Sequence, residues 1–356
     1  IKFDKPVERL WISSQTTKAI RDGFAQLKPA KQFDNLYASA LARGKADWLI
    51  GLNVTRALTT KYEDSLSAGR VQTPTLAFVH ATEKQINAFK PTTYYIVQFS
   101  YQGQTANLQL DQPQQLKTRA QAEALVKALE VQTGKVTAVK TKRQTQGAPL
   151  PYDLTELQKV ANAMYGLSAK KTLSLVQSLY EIHKVVSYPR TDSKYLSTDI
   201  KATLKERLSA LVKFEPRAKQ YLGQGAQVVQ TAVFNNQKVT DHYALIPTEE
   251  PARVAKLSTD ELRIYRLIVE RFMGLFAEPH VTAETKVTVQ FNQQVVVFKQ
   301  TTVINQGWHP VEVKPTPTID WQVGQTIHGQ FKINEQLTSA PKPLTEGTLL
   351  GKMEKY

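Results

Sequence analysis

The hydrophobic period of this chain changes along its length, and that alternation restricts the fold more than any other feature. From Thr16 to about Phe89 apolar residues recur at helical spacing. A short helix is predicted over Thr17–Leu27. A longer one follows over Asn35–Leu58, marked by Leu36, Tyr37, Ala40, Leu41, Trp48, Leu49 and Leu52. Arg43 and Asp47 sit one turn apart on it, close enough to pair. A third helix starts near Val71, with Pro74 tolerated in its first turn. The period then drops to two in Tyr94–Ser100 and Thr105–Leu110, a hairpin around Gln102-Gly103. A helix at Arg119–Glu130 and a strand at Lys135–Lys142 lead to Gly147-Ala148-Pro149-Leu150-Pro151, the clearest domain boundary.

From Leu154 the helical period returns. Thr155 with Gln158 reads as a capping box, Leu157, Val160, Ala161 and Met164 form a stripe, and Gly166 suits the stop. Ser168 caps Ala169–Glu181, another helix follows Ser197-Thr198 with Asp199 at its start, and Ser258–Phe276 closes the block. Strands resume at Glu284–Phe291 and Val295–Val303 around Asn292-Gln293-Gln294. A Pro-rich stretch, Pro315–Tyr356, contains one more strand-like piece near Thr326–Ile333. The fold class is mixed α and β and multidomain, and the order fits one β domain interrupted by an inserted helical domain.

Length and charge narrow the function. A chain of 356 residues predicts two or three domains. With 46 Lys+Arg against 31 Asp+Glu its formal charge is +15, which suggests a polyanionic partner, nucleic acid first. There is no cysteine, so disulfides, thiol nucleophiles and Cys-type zinc sites are excluded. No apolar run is long enough to span a membrane, and no secretory leader is visible. Ile1 in place of Met points to an excised fragment. Charge alone decides little, since Lys-rich helix faces are usually just solvated.

Three segments carry chemistry. In Ser187-Tyr188-Pro189-Arg190-Thr191-Asp192-Ser193, Pro189 biases Tyr188 toward extended backbone and sets Arg190 on the same side. A phenol beside a guanidinium is suited to attack a phosphodiester, because Arg clamps phosphate oxygens and its field favours phenolate. Against this, most tyrosines simply bury a ring. Ser67-Ala68-Gly69-Arg70-Val71-Gln72-Thr73-Pro74 is a turn entering a helix, offering backbone N–H groups, a hydroxyl and a guanidinium to a phosphate; the plainer alternative is a helix cap. Thr240-Asp241-His242-Tyr243-Ala244-Leu245-Ile246-Pro247-Thr248 sets a lone His before a Pro, and such a His is more often structural.

Together, in this order, the segments resemble type IA DNA topoisomerases, the topoisomerase III branch in particular. Further matches are Leu10-Trp11-Ile12-Ser13-Ser14, Ala46-Asp47-Trp48-Leu49-Ile50-Gly51 with Thr55-Arg56, Leu179-Tyr180-Glu181, and Leu344-Thr345-Glu346-Gly347-Thr348-Leu349-Leu350. The resemblance covers essentially the whole chain. It implies ATP-independent strand passage, with Tyr188 attacking single-stranded DNA to form a 5′-phosphotyrosine and release a 3′-hydroxyl. Arg190 would hold the scissile phosphate, and His242 would assist near it; the family often has a second His where this chain has Tyr243. Arg43, Trp48, Arg56 and the run Ser67, Ala68, Gly69, Arg70, Val71 and Gln72 would line the single-strand groove.

The resemblance also implies a gate-shaped toroid with helical domains joined by a β arch. The domains would be a helical base with the DNA groove at 1–90, the first part of the arch at 91–147, and a helical domain carrying Tyr188 at 148–280. The arch would resume at 281–313, and 314–356 would return to the base. The family's Toprim domain, which supplies a catalytic Glu, a Lys and the Asp-x-Asp-x-Glu cluster for Mg²⁺, is not matched, and the chain has no Asp-x-Asp. The expectation is therefore a fragment with no metal ligands of its own, a monomer partnered by single-stranded DNA and its own Toprim domain. It would be cytoplasmic, DNA-associated and incompetent for relaxation alone. The rival is a non-catalytic helix-turn-helix protein built on Leu154–Tyr165 and Ala169–Glu181. A relaxase-type nickase needs His-x-His, which none of the six histidines provides.

Overall fold

The structure, a computed structural model, describes residues 5–12, 17–110, 116–239, 241–309 and 318–355, without the side chains of 18 and 19. Ile1, Ser13, Ser14, Thr16, Thr240, Pro315 and Tyr356, each named above, lie outside the described residues. The chain divides into two interleaved units. One comprises Ile1–Lys84, Pro149–Phe276 and Pro343–Tyr356; the other comprises Gln85–Ala148 and Ala277–Lys342.

In chain order the first unit begins with β1 (Glu8–Arg9), α1 (Thr17–Phe24) and β2 (Lys28–Pro29), where β1 and β2 pair antiparallel. α2 (Asp34–Tyr62) is longer than its apolar pattern predicted, buries no residue, and ends where Glu63 turns into the left-handed region at φ 53°. α3 (Gln72–Ala88) begins beside Val71 with Pro74 in its first turn, where a missing N–H costs nothing. The chain then enters the second unit through β3 (Thr93–Tyr101), β4 (Gln104–Gln109), α4 (Arg119–Glu130) and β5 (Gly134–Gln146). Gln102 and Gly103 both take positive φ, as a tight hairpin turn requires.

Returning to the first unit, α5 (Leu154–Tyr165) and α6 (Ala169–Glu181) pack together across Gly166, which takes φ 67° as the C-cap. The capping box expected at Thr155 and Gln158 is not formed. The N-cap lies two residues earlier, at Asp153, which is extended and whose carboxylate accepts the Glu156 N–H at 2.6 Å. Gln158 instead donates to the Ala169 carbonyl at 3.0 Å and ties the two helices together. A 3₁₀ turn (Thr198–Thr203) leads into α7 (Leu204–Leu211), then α8 (Arg217–Gly223), which the sequence pattern did not suggest, and α9 (Thr259–Met273). Ile264, Tyr265, Ile268, Val269 and Phe272 of α9 are buried against Leu175, Val176 and Leu179 of α6. Burial of each such side chain contributes about 2 kcal/mol.

The second unit then adds β6 (His280–Phe291), β7 (Gln294–Asn305), β8 (Thr326–Ile327) and β9 (Gln330–Leu337), and the first unit ends on α10 (Glu346–Met353). The strands form one antiparallel seven-stranded sheet in the order β8-β5-β6-β7-β4-β3-β9. β8 and β9 lie at opposite ends of that order, yet only His328 and Gly329 separate them. So short a link spans roughly 10 Å, so the sheet must curl until its edges meet. Gly329 makes the crossing possible: a Cβ there would lie 2.2 Å from the Ser100 carbonyl oxygen. Phe99, Phe291, Phe298 and Phe331 fill the interior, with edge-on and tilted rings 4.9–6.1 Å apart. Because β9 pairs with β3 from Thr93 to Ser100, the sheet continues to Leu337 and takes in the strand-like piece expected near Thr326–Ile333, whereas the resemblance implied an arch ending at 313.

Candidate active site

After α6 the chain turns at Lys184, which takes φ 60°, and runs extended to Tyr188. That segment is held by a second one, 244–248, chiefly through a buried serine. The Ser187 N–H donates to the Ile246 carbonyl at 3.0 Å, and the Ile246 N–H donates back to Ser187 Oγ at 3.0 Å. The Ser187 hydroxyl in turn donates to the Ala244 carbonyl at 2.9 Å. Thr248 closes the end, its N–H donating to Val185 and its hydroxyl to Lys184. From below, buried Arg207 donates to the Pro247 carbonyl at 2.5 Å and pairs with Glu249 at 2.6 Å. With its buried hydroxyls and amides bonded in this way, the paired segment is a rigid mount.

On that mount the rings of Tyr188 and His242 meet. Their centroids are 4.2 Å apart with the planes tilted by 35°, and Tyr180 of α6 approaches Tyr188 edge-on at 5.5 Å. The Thr191 hydroxyl donates to the His242 carbonyl at 2.9 Å, so the residues just after Tyr188 also fix the backbone of the histidine. Burial pushes His242 below the ordinary histidine range, against a smaller opposing effect of the Asp241 charge. Its imidazole is thus neutral near pH 7, able to accept a proton or a hydrogen bond. Tyr188 is half-buried and Arg190 exposed. Tyr243, where relatives were expected to show a second histidine, is buried, and burial raises its pKa.

The other predicted site residues gather on α2 and the loop after it. Arg43, Trp48 and Arg56 are exposed on α2, Trp48 by 64%. Asp47 takes its ion pair from Arg70 at 2.5 Å instead of from Arg43, which acts on it only through its field. The hydrogen bond from Arg70 holds the Asp47 carboxyl below the usual range, although so exposed a pair contributes little to stability. The loop expected to offer free backbone N–H groups has two of them occupied. Ala68 donates to Thr55 Oγ1 at 3.0 Å and Gly69 to Thr73 Oγ1 at 3.0 Å. Ser67 accepts from the Gln72 side chain at 2.9 Å, while Arg70, Val71 and Gln72 are exposed. Among the described residues no hydrogen bond or ion pair joins this loop to Tyr188.

Comparison with known proteins decides the family. A model of the DNA topoisomerase family matches residues 31–356. The chain belongs to that family. Relatives named DNA topoisomerase 3 are 41% identical over 372 residues in Bacillus licheniformis, 40% over 372 residues in Bacillus subtilis strain 168, and 41% over 360 residues in Staphylococcus aureus MRSA252. These alignments cover 98–99% of this chain but 50% of each relative, so the chain spans about half the length of those topoisomerases. Full-length topoisomerase I from Thermotoga maritima shares the fold, with a TM-score of 0.78 at 24% identity over 98% of this chain and 58% of that one.

Two features of this topoisomerase chain escaped sequence reasoning. The first is Trp11, noted only as part of a motif, which stacks on His242 at 5.6 Å and on Phe33 at 5.6 Å. Nothing in residue spacing joins positions 11, 33 and 242. The second is the role of the Thr345-Glu346-Gly347 motif. The Ala169 N–H, at the N-terminus of α6, donates to Glu346 Oε2 at 2.5 Å, and the Gly347 N–H donates to Asn162 of α5. A side chain at Gly347 would sit 3.4 Å from the Lys159 carbonyl oxygen, so glycine lets α10 lie directly on α5. This contact covers the α5–α6 pair, and α6 commits an N-terminal amide to Glu346 where a recognition helix would meet DNA. No group of three His, Asp, Glu or Cys side chains among the described residues could hold a metal ion. No described helix is long and apolar enough to cross a membrane.

Proposed function

We propose that this chain carries the nucleophile of an ATP-independent strand-passage enzyme, with Tyr188 cleaving one DNA strand through a 5′-phosphotyrosine. The observation that carries the reading is the Tyr188–His242 ring contact on a segment whose polar groups are occupied in its own mount. Tyr188 Oη would form a bond to phosphorus while the bond from phosphorus to the 3′ oxygen breaks. The phenol proton passes to a base, for which neutral His242 is placed, and the leaving 3′ oxygen takes up a proton. Because one phosphodiester replaces another, religation reverses the step without ATP. Exposed Arg190 would hold the phosphate and stabilise its developing charge.

Arg43, Trp48, Arg56 and the Ser67–Gln72 loop would grip single-stranded DNA, the cations on phosphates and the open Trp48 face on a base. The Mg²⁺ of the family finds no fitting ligand set among the described residues, and its site would belong to a Toprim domain outside this chain. No step above is routed through it. The chain alone would bind single strands without relaxing supercoiled DNA, and the whole enzyme would work with DNA in the cytoplasm.

The test uses a single-stranded oligonucleotide labelled at its 3′ end, the Toprim-containing form of the protein, Mg²⁺ and a detergent quench. Labelled DNA should remain covalently attached to the wild type and not to Tyr188→Phe. Arg190→Ala should lower adduct yield by roughly 10²-fold or more. An adduct that survives Tyr188→Phe, or a wild type that binds the strand and never forms one, would remove this reading.

A further inference from the structure

We propose that Trp11 is a positioning residue that clamps the His242 imidazole against Tyr188. The purpose of the clamp rests on the phosphotyrosine reading; its existence rests on geometry alone. The indole lies nearly parallel to His242, at 5.6 Å and 17°, while Tyr188 covers the imidazole at 4.2 Å. Trp11 is backed in turn by Phe33, at 5.6 Å and 12°, and the Arg9 guanidinium lies 5.3 Å from the Phe33 centroid. Its indole N–H donates to the Asp241 carbonyl at 2.9 Å, one residue before the histidine. Thr191 pins the His242 carbonyl at 2.9 Å. The histidine is thereby held by one hydrogen bond on its own carbonyl and one on that of Asp241, and its ring lies between two aromatic neighbours.

Two properties follow for His242. Its ring plane is favoured as observed, because rotation about the side chain would break the contact with Trp11 or with Tyr188. Its solvation is also reduced, which agrees with burial being the larger influence on its proton affinity. The titratable groups that act on it or touch it include Asp241 on its own segment and Tyr188 across the ring contact, while Arg9 lies on the far face of the stack, over Phe33. Trp11 itself is held by β1 pairing with β2 and by the Ala30 N–H donating to Val7 at 2.9 Å. The clamp comes from a segment ahead of residue 31, where the family model begins to match.

The test is an NMR titration of the ring protons of this chain, with His242 assigned from His242→Asn and its contact to Tyr188 followed by NOE. In the wild type the His242–Tyr188 NOE should be present and the imidazole should titrate below the ordinary range. Trp11→Phe keeps a stacking face and should retain the NOE with little change in midpoint. Trp11→Leu keeps apolar bulk without an aromatic face or a donor; it should lose the NOE and move the midpoint upward, as should Trp11→Ala. A leucine variant matching the wild type in both signals would overturn the clamp and leave Trp11 a space filler. The leucine variant decides this even if the alanine variant fails to fold. Missing DNA adducts with intact spectra would sink only the phosphotyrosine reading, and unchanged spectra with normal adducts would sink only the clamp.

Discussion

Glu261 shows how strongly one residue can tie this helical core. Its carboxylate accepts from Ser178 at 2.6 Å and from both the N–H and the hydroxyl of Ser258, completing the N-terminal capping box of α9, and His183 lies 3.4 Å away. Burial pushes the carboxyl up, but these hydrogen bonds and the His183 charge outweigh it and bring the pKa to about 2, from 4.5. The sign is that of a depressed acid: its stabilisation is complete above about pH 4.5 and is lost as pH falls toward 2. Glu261→Gln should therefore lower stability near pH 7 by about 1–2 kcal/mol and flatten the acid side of the stability profile. Urea unfolding of both proteins at several pH values checks this, and parallel profiles would assign the acid sensitivity to other groups.

Among the elements, the junction of α5 and α6 is set by residues adjacent in sequence. Gly166 takes φ 67° with nothing within 4 Å of a would-be Cβ, so Gly166→Ala meets only the strain of left-handed backbone. A loss of about 1 kcal/mol in chemical denaturation is expected, with the fold retained. Of the expected stripe, Leu157 and Ala161 are buried, Val160 partly so, and Met164 is exposed; the Gly166 stop and the Ser168 cap were legible because they act through neighbours in sequence. β5 was less so. Its alternation fades after residue 139, where the strand leaves the core, yet pairing with β6 carries it to Gln146. Hydrogen bonds to a partner strand hold those residues, and burial, the only signal a periodicity reading has, does not. The site divides the same way. Tyr188, Arg190 and His242 were named from local motifs, whereas Trp11 on His242 and Thr55 on Ala68 are encounters between distant segments. The Thr55 contact occupies an amide that the isolated loop would have left open.

At the scale of the whole molecule, the charge of +15 sets how the chain should meet DNA. Binding of a fluorescent single-stranded oligonucleotide should weaken steeply with salt, with log K falling by about 0.7 per phosphate contacted for each unit of log salt concentration. Trp48→Ala should weaken binding with little change in that slope, since stacking releases no counterion. A flat salt response would contradict a phosphate-gripping groove. The interleaving of the units has a different consequence, in time. Thr92 at the start of the sheet bonds Thr338, 246 residues later, and β9 must arrive before the curled sheet can close. A ribosome adding about 5–20 residues per second needs roughly 12–50 s to cover that distance. Throughout that interval β3 is exposed along the edge β9 will cover, so nascent chains of this protein are most open to chaperones, and to mispairing with one another, before residue 337 has emerged.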